Sequence, residues 1–324
     1  MNFYILAPAN INSGGAELAH QLCYTINKNT NYSAYMCYVN TSETNLINSL
    51  PIDANAIESY STYYTEHALS LTDIDSDENI VIIPEGLTPS ILVFKYAKIV
   101  LWWMSVDNYI LSTQETNLEL LKTQTILHLY QSYYSKIYIE QHFPNCPKMY
   151  LSDYINEQHG NFLFPGEYRK NVALYNPKKG YPNIEPLIKE ITWIDWKPIY
   201  NMTIEEVIIL MQSSKIYIDF GNHPGKDRIP REAAANGCCV ITNKLGSAAY
   251  HEDVPIPEQY KFEAPKKSLK EIETLMLDIC EHYEKHQKLF SNYRDWIKNE
   301  KSTFEHDVIS FVEYMEALCC NLLL

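Results

Sequence analysis

The densest group of residues able to do chemistry lies in 215–249, KIYIDFGNHPGKDRIPREAAANGCCVITNKLGSAA, where a short loop carries His223, Gly225, Lys226, Asp227 and Arg228. Lysine, arginine and the amides of a glycine-rich turn are the groups that hold an anion, a phosphate above all. The flanking residues predict how that loop is held. Residues 215–220 alternate apolar side chains as a strand does. Pro230 suits the first position of a helix, where a missing N–H costs nothing. Ala233, Ala234 and Ala235 favour helix, Gly237 stops it, and 238–242 reads as a buried parallel strand. Leu245, Gly246 and Ser247 then make a second turn at the same edge. Two cations, a glycine-rich backbone and a helix N-terminus should therefore converge at the carboxyl ends of parallel strands, where open α/β sheets bind anionic ligands.

The first half supplies a second group. Residues 3–7 read as a strand, and Gly14 and Gly15 open a helix with Leu18, Leu22 and Ile26 on one face. Residues 33–39 are the next strand, whereas 40–79 are polar and yield no firm elements. The apolar run 79–84 ends at Glu85, and 98–104 ends before Asp107, so two strands deliver acids to one sheet edge. Between them, Thr88 and Pro89 cap a short helix. Trp102 and Trp103 fall within a strand, which makes them core rather than a stacking platform. A further strand over 123–129, a helix from Gln131 to Gln141 and a strand over 146–151 complete this half. His128 and His142 have no partner at metal-ligand spacing and read as structural. Asp73, Asp75 and Asp77 alternate in a polar stretch and read as a solvated loop. Residues 153–169 have loop composition and mark the domain boundary.

The second half restarts with a strand over 171–175, followed by Asn176-Pro177-Lys178-Lys179-Gly180. A strand-like segment begins at 190–193. Thr203 with Glu206, and Ser268 with Glu271, have capping-box spacing and open two helices. Residues 303–318 form an amphipathic helix through Phe304, Val308, Phe311, Val312 and Met315.

The run 230–241, PREAAANGCCVI, resembles the donor-site segment of two-Rossmann (GT-B-type) glycosyltransferases, glycosyltransferase family 4 in particular. The resemblance is strongest over 171–262. It implies an α/β fold of two Rossmann-like domains facing across a cleft. Residues 1–160 would be the acceptor-side domain and 161–300 the nucleotide-sugar domain, with 301–324 a helix crossing back to the first. It implies that Glu232 binds the donor's ribose and that Lys179, before Gly180, holds its diphosphate. Lys226 and Arg228 would add charge from across the cleft, in place of an arginine the family usually carries before the lysine. Gly246 and Ser247 would give backbone donors, and the Gly14-Gly15 turn would approach the phosphates or the reacting centre. The family's second acid falls at Pro224, so this part of the pattern is incomplete, and the stereochemical outcome stays open. Transfer requires a base at the acceptor hydroxyl and stabilisation of the leaving phosphate. Asp107 is the first candidate for the acceptor-contacting residue and Glu85 the second.

Composition bounds the rest. With 324 residues and 46% hydrophobic content, two ordinary domains can each bury a core. The net charge of −14 argues against nucleic acid and against adsorption to anionic lipid. Cys23, Cys37, Cys146, Cys238, Cys239, Cys280, Cys319 and Cys320 lack CxxC spacing and read as reduced thiols. The N-terminus reads as a strand rather than a signal peptide, no run suffices to cross a bilayer, and the expected compartment is the cytoplasm. The apolar tail 319–324 either docks on the protein or touches a membrane, which leaves peripheral contact at its inner face open. The expected function is transfer of a sugar from a nucleotide-sugar donor to a glycan or glycolipid hydroxyl in bacterial surface polysaccharide synthesis. No cofactor or metal is expected, because side chains and helix dipoles neutralise the diphosphate. Two alternatives remain: a nucleotide-sugar epimerase on the same fold, and a non-catalytic nucleotide-binding subunit.

Overall fold

The computed structural model describes residues 1–41, 49–53, 58–68, 70–113 and 125–321. These form two compact units, the first comprising Met1–Asp153 with the chain from Ser302 on, the second Tyr154–Lys301.

Unit 1 is built on strands β1 (Asn2–Pro8), β2 (Ser33–Val39), β3 (Asn79–Pro84), β4 (Lys98–Trp103), β5 (Thr125–Tyr130) and β6 (Lys148–Tyr150). All pair in parallel, in the order β2-β1-β3-β4-β5-β6. Helices α1 (Gly14–Asn29), α2 (Leu71–Ile74), α3 (Val106–Thr113) and α4 (Tyr133–His142) lie in the connections. Continuous apolar strands such as NIVIIP suit a sheet covered on both faces, and every residue of β3 is buried. Trp102 and Trp103 are fully buried, as expected of core residues. The Trp103 indole donates to His128 Nδ1 at 2.9 Å, and burial holds that imidazole down to about 4, so it is a neutral structural acceptor. The alternating acids are not merely solvated. The Asp75 carboxylate accepts the amides of Lys95, Tyr96 and Ala97 at 2.9–3.1 Å and fixes the entry to β4.

Unit 2 runs β7 (Lys170–Tyr175), α5 (Tyr181–Glu190), β8 (Asp195–Pro198), α6 (Ile204–Gln212), β9 (Ser214–Asp219), α7 (Arg228–Ala235), β10 (Cys239–Asn243) and β11 (Lys261–Phe262). Its parallel sheet has the order β11-β10-β9-β7-β8. Helices α8 (Leu269–Glu281), α9 (Tyr283–Lys288) and α10 (Ser291–Lys298) follow. Helix α11 (Glu300–Asn321) starts in unit 2 and belongs to unit 1 from Ser302 on. There Phe311 packs 5.8 Å from the Phe3 ring, and Asp307 accepts the Ser152 amide at 3.0 Å. The C-terminal helix thus returns to the first half, as the two-Rossmann resemblance implies.

Some local expectations give way. Residues 190–193 close a helix instead of opening a strand, because Ile184, Leu187 and Ile191 are buried at helical spacing and the strand begins at Asp195. Pro230 is the third residue of α7, still within the turn whose N–H groups lack intrahelical partners. The Thr203–Glu206 capping box forms both its bonds, at 3.2 and 2.8 Å. Ser268, with φ −101° and ψ 24°, makes no cap bond, since its backbone is already near-helical. Residues 123–124 and 322–324 lie outside the described residues. No described helix is long and apolar enough to cross a membrane.

Candidate functional site

Each sheet has a point where successive connections leave in opposite directions. In unit 2 it falls between the adjacent strands β7 and β9, since β7 leads to β8 on one side and β9 leads to β10 on the other. A crevice at the carboxyl ends of such strands is the ligand site of open α/β sheets. After β7, Asn176 holds the turn by accepting the Lys178 and Lys179 amides. Gly180 follows at φ +74°, and a Cβ there would overlap the Gly221 backbone that follows β9. The two turns therefore meet backbone to backbone, with the Lys179 side chain laid over Gly221.

The Lys179 ammonium pairs with Asp227 and lies 3.8 Å from Asp219. Asp219, at the end of β9, also accepts from the Tyr217 hydroxyl at 3.1 Å and the Gly221 amide at 3.0 Å. His223 Nδ1 sits 2.6 Å from Asp227, and its Nε2 is 3.7 Å from Asp219. Burial works to raise the Asp227 carboxyl, but the His223 hydrogen bond and the Lys179 charge outweigh it and hold it below the usual range. Asp219, His223 and Asp227 bring three potential metal-binding atoms together. Lys179 stands among them as the counter-ion, so a side chain fills the cationic position. This four-residue network was not legible beforehand, because Asp219 reads as the end of an ordinary strand.

The other residues expected at this edge divide. Ser247 is committed to the loop itself: its amide donates to the His223 carbonyl at 2.8 Å and its hydroxyl to the Gly225 carbonyl at 2.6 Å. Its neighbour Gly246, at φ +55°, packs where any Cβ would strike the His223 carbonyl. These two residues shape the loop, and the expected role of Ser247 as a donor to ligand is taken up internally. Lys226 is buried, 3.1 Å from Glu300 and 4.3 Å from the centre of the Trp296 ring. Glu300 also accepts two 2.8 Å bonds from buried Arg231. A lysine so placed is part of the interior, which corrects its expected role on phosphate.

Arg228, Glu232 and Asn236 recur every fourth residue along α7 and its C-cap, and so share a face. That face meets the segment opening unit 2. Arg228 Nη2 donates to the Tyr154 carbonyl at 3.4 Å, Glu232 lies 3.9 Å from His159, and Asn236 bonds His159 Nδ1 at 2.7 Å. The Glu232 side chain stays 17% exposed. A cavity of about 380 Å³ opens beside this face, lined among others by His159, Ala235, Arg294 and Lys298.

In unit 1 the corresponding point falls between β1 and β3, and a cavity of about 350 Å³ occupies it. Ala7, Pro8, Ser13, Gly15, Glu85 and Asn108 are among its lining residues. Neither Gly14 nor Gly15 has a positive φ, and a Cβ on Gly15 would touch only the Met104 side chain, at 3.7 Å. Turn geometry does not require these glycines. The loop before them is tied by the Tyr60 hydroxyl, which accepts the Ser13 amide at 2.9 Å and reaches Asn12 at the same distance. Tyr60 belongs to the polar stretch that gave no sequence signal.

Glu85 is buried beside this cavity, where its carboxylate accepts the Met104 amide at 2.8 Å and the Asn108 side chain at 3.3 Å. Burial pushes the carboxyl up to about 7 against the lowering pull of those bonds. Asp107 is in the first turn of α3, partly exposed, and is not among the cavity's lining residues. The two acids that are alternative candidates for the acceptor side thus stand in different surroundings, and only Glu85 lines the cavity.

No family model matches the sequence, and a search of curated proteins found no match either. Solved structures do match. Sucrose-phosphate synthase from Thermosynechococcus elongatus superposes with a TM-score of 0.65, at 11% identity over 99% of each chain. HepE from Anabaena, solved with UDP, gives 0.66 at 11% identity over 97% of this chain and 100% of its own. The trehalose-6-phosphate synthase OtsA gives 0.61 at 10% identity over 97% and 99%. These are GT-B glycosyltransferases, and two parallel-sheet α/β units in one chain are their fold. At such identities the likeness establishes the fold alone.

Proposed function

We propose that the protein is a glycosyltransferase of the family-4 kind, moving a sugar from a nucleotide-sugar donor to a hydroxyl of a glycan or glycolipid. The observation that carries this reading is the switch-point edge of unit 2, where a partly exposed lysine overlies two glycines packed backbone to backbone. Glycines there let a diphosphate approach the main chain, and the lysine offsets charge that grows on the leaving phosphate. Glu232 receives the ribose, as the family resemblance implies, and Arg228, one turn earlier on the same face, is the second cation. Transfer then runs without a metal. HepE was solved with UDP and with UDP-glucose, which makes UDP-sugars the first donors to try.

On the acceptor side, Glu85 is the better-placed base, since an acid whose proton is balanced near neutrality can take one from a hydroxyl. Asp107 is second. A role in bacterial surface polysaccharide follows by analogy with the resembled family, and a lipid-linked acceptor would bring the protein to a membrane surface.

A thermal-shift screen against UDP, GDP, CMP, dTDP and ADP, on wild type and Glu232→Ala, tests the donor site. A ligand at a hundred times its Kd adds about 2.7 kcal/mol of stability. One nucleotide should give that shift, and the variant should lose it. Silence from all five would end the reading. Pro224, at the position of the family's second acid, favours one alternative, a subunit that binds nucleotide without turnover. Nucleotide release from the matching sugar donor, with and without acceptor glycans, separates the two.

A further inference from the structure

His159 meets α7 on the side that carries Glu232, and its loop is built to hold it there. The Gln158 amide donates to the Asn156 side chain at 3.0 Å, and the His159 amide to the Asn156 carbonyl at 3.1 Å. Gly160 follows at φ +77°, where a Cβ would come within 3.3–3.4 Å of Ala235. The His159 side chain itself is 4% exposed. Its tautomer follows from Asn236, which is fully buried. The Gly160 amide donates to one side-chain atom of Asn236 at 3.3 Å, which must therefore be the oxygen. The Glu232 carbonyl accepts from the other at 2.9 Å, which must be the NH₂ group. That group also donates to His159 Nδ1 at 2.7 Å, so Nδ1 is the acceptor and the ring's hydrogen is on Nε2. Nε2 lies 3.9 Å from Glu232 Oε1.

We propose that His159 is a positioning residue for Glu232, its Nε2–H holding carboxylate Oε1 so that Oε2 is turned to the donor's ribose hydroxyls. A carboxylate steadied at one oxygen loses less freedom when the other accepts a hydroxyl, so the ribose binds at a smaller ordering cost. Asn236 acts one step further back, by fixing which ring nitrogen carries the hydrogen. The proposal rests on the reading of Glu232 as the ribose-binding residue.

The test is calorimetric titration of the full chain with UDP, GDP and ADP and with their dideoxyribose forms, which lack the hydroxyls in question. Wild type should prefer one ribonucleotide to its dideoxy form by roughly tenfold to a hundredfold, the worth of hydrogen bonds to a charged acceptor. Glu232→Ala should not distinguish the two. His159→Asn keeps an oxygen near the place of Nδ1 for Asn236 and removes the Nε2–H. It should cut the preference by about tenfold and bind the dideoxy form as wild type does. His159→Gln, whose amide reaches the place of Nε2, should restore most of that loss. His159→Phe, which keeps the ring's volume, is the second probe in case His159→Asn does not fold, and should lose the preference likewise. A preference left intact, an equal weakening of both forms, or no rescue by glutamine overturns the proposal and leaves Glu232 its role. A wild type that binds both forms equally, or no ribonucleotide at all, overturns the reading of Glu232 and the proposal with it.

Discussion

Glu85 shows how much a single side chain's surroundings decide. Its carboxyl stands at about 7 instead of 4.5 because burial disfavours the charged form more than the hydrogen bonds it accepts favour it. For an acid raised on folding, stability is complete below the unfolded value and is lost as pH rises through the folded one. The shift corresponds to roughly 3 kcal/mol. Glu85→Gln should therefore melt higher than wild type at pH 8, and the advantage should vanish below pH 4.5, a comparison that thermal denaturation at the two pH values makes directly. If Glu85 is the base, wild-type transfer should rise through about pH 7, and the variant should lose that limb with about 10²–10⁴ in rate. The glycines part in the same way. Gly246→Ala should cost roughly 1–3 kcal/mol, because it places a Cβ against the His223 carbonyl at a left-handed φ. Gly15→Ala should fold as well as wild type or slightly better, being in a helix's first turn with room to spare, yet lose activity by narrowing the cavity. Chemical denaturation and a transfer assay on both variants would separate a structural glycine from a functional one.

At the scale of elements, the start of α11 is tied to the base of α7 by charge. Glu300 is buried and accepts from both Arg231 and Lys226, so its carboxylate holds two cations that would otherwise be costly to bury. Glu300→Gln keeps the shape and removes the charge, and should destabilise the protein by about 3–5 kcal/mol in urea denaturation. A loss below about 1 kcal/mol would mean that the pair is no more than an exposed contact in energy. Helix α7 has two jobs in consequence. Arg231 on one face, with Lys226 just before the helix, anchors its start, and the other face carries Arg228 and Glu232 towards the Tyr154–His159 segment. This division separates Lys226 and Arg231, which are buried on Glu300, from Arg228 on the opposite face.

For the molecule as a whole, each sheet buries apolar side chains of its own unit, among them Leu6, Val81, Leu101 and Trp103 in the first and Leu174, Ile218, Val240 and Tyr260 in the second. Unfolding should then depart from a single cooperative step, and differential scanning calorimetry should show more than one component. A nucleotide that binds unit 2 should raise one component by an amount set by its concentration over Kd and leave the other nearly still. Coincident transitions that move together would show instead that the units unfold as one.

Much of this architecture was readable along the chain. Strands such as 33–39 and 79–84 were placed to the residue, because a parallel sheet covered on both faces demands uninterrupted apolar runs and no other element tolerates them so well. The turn glycines Gly180 and Gly246 and the Thr203 cap were equally local in origin, whereas the return of the last helix came from the resemblance. What the sequence determined by itself was thus the order of elements and the edge of each sheet where chemistry gathers. Only tertiary structure decided which residues at those edges stay exposed and which are taken into the interior. Lys179 and Lys226 are the same side chain in similar loops, but one overlies a glycine turn and the other is buried against Glu300 and Trp296. Glu85 and Asp107 both follow strands, and burial gave the cavity to Glu85. Asp219, His223 and Asp227 became one network with a lysine about forty residues earlier, because strand order sets β7 beside β9. Charge and burial act between neighbours in space, and no local pattern along a chain records who those neighbours are.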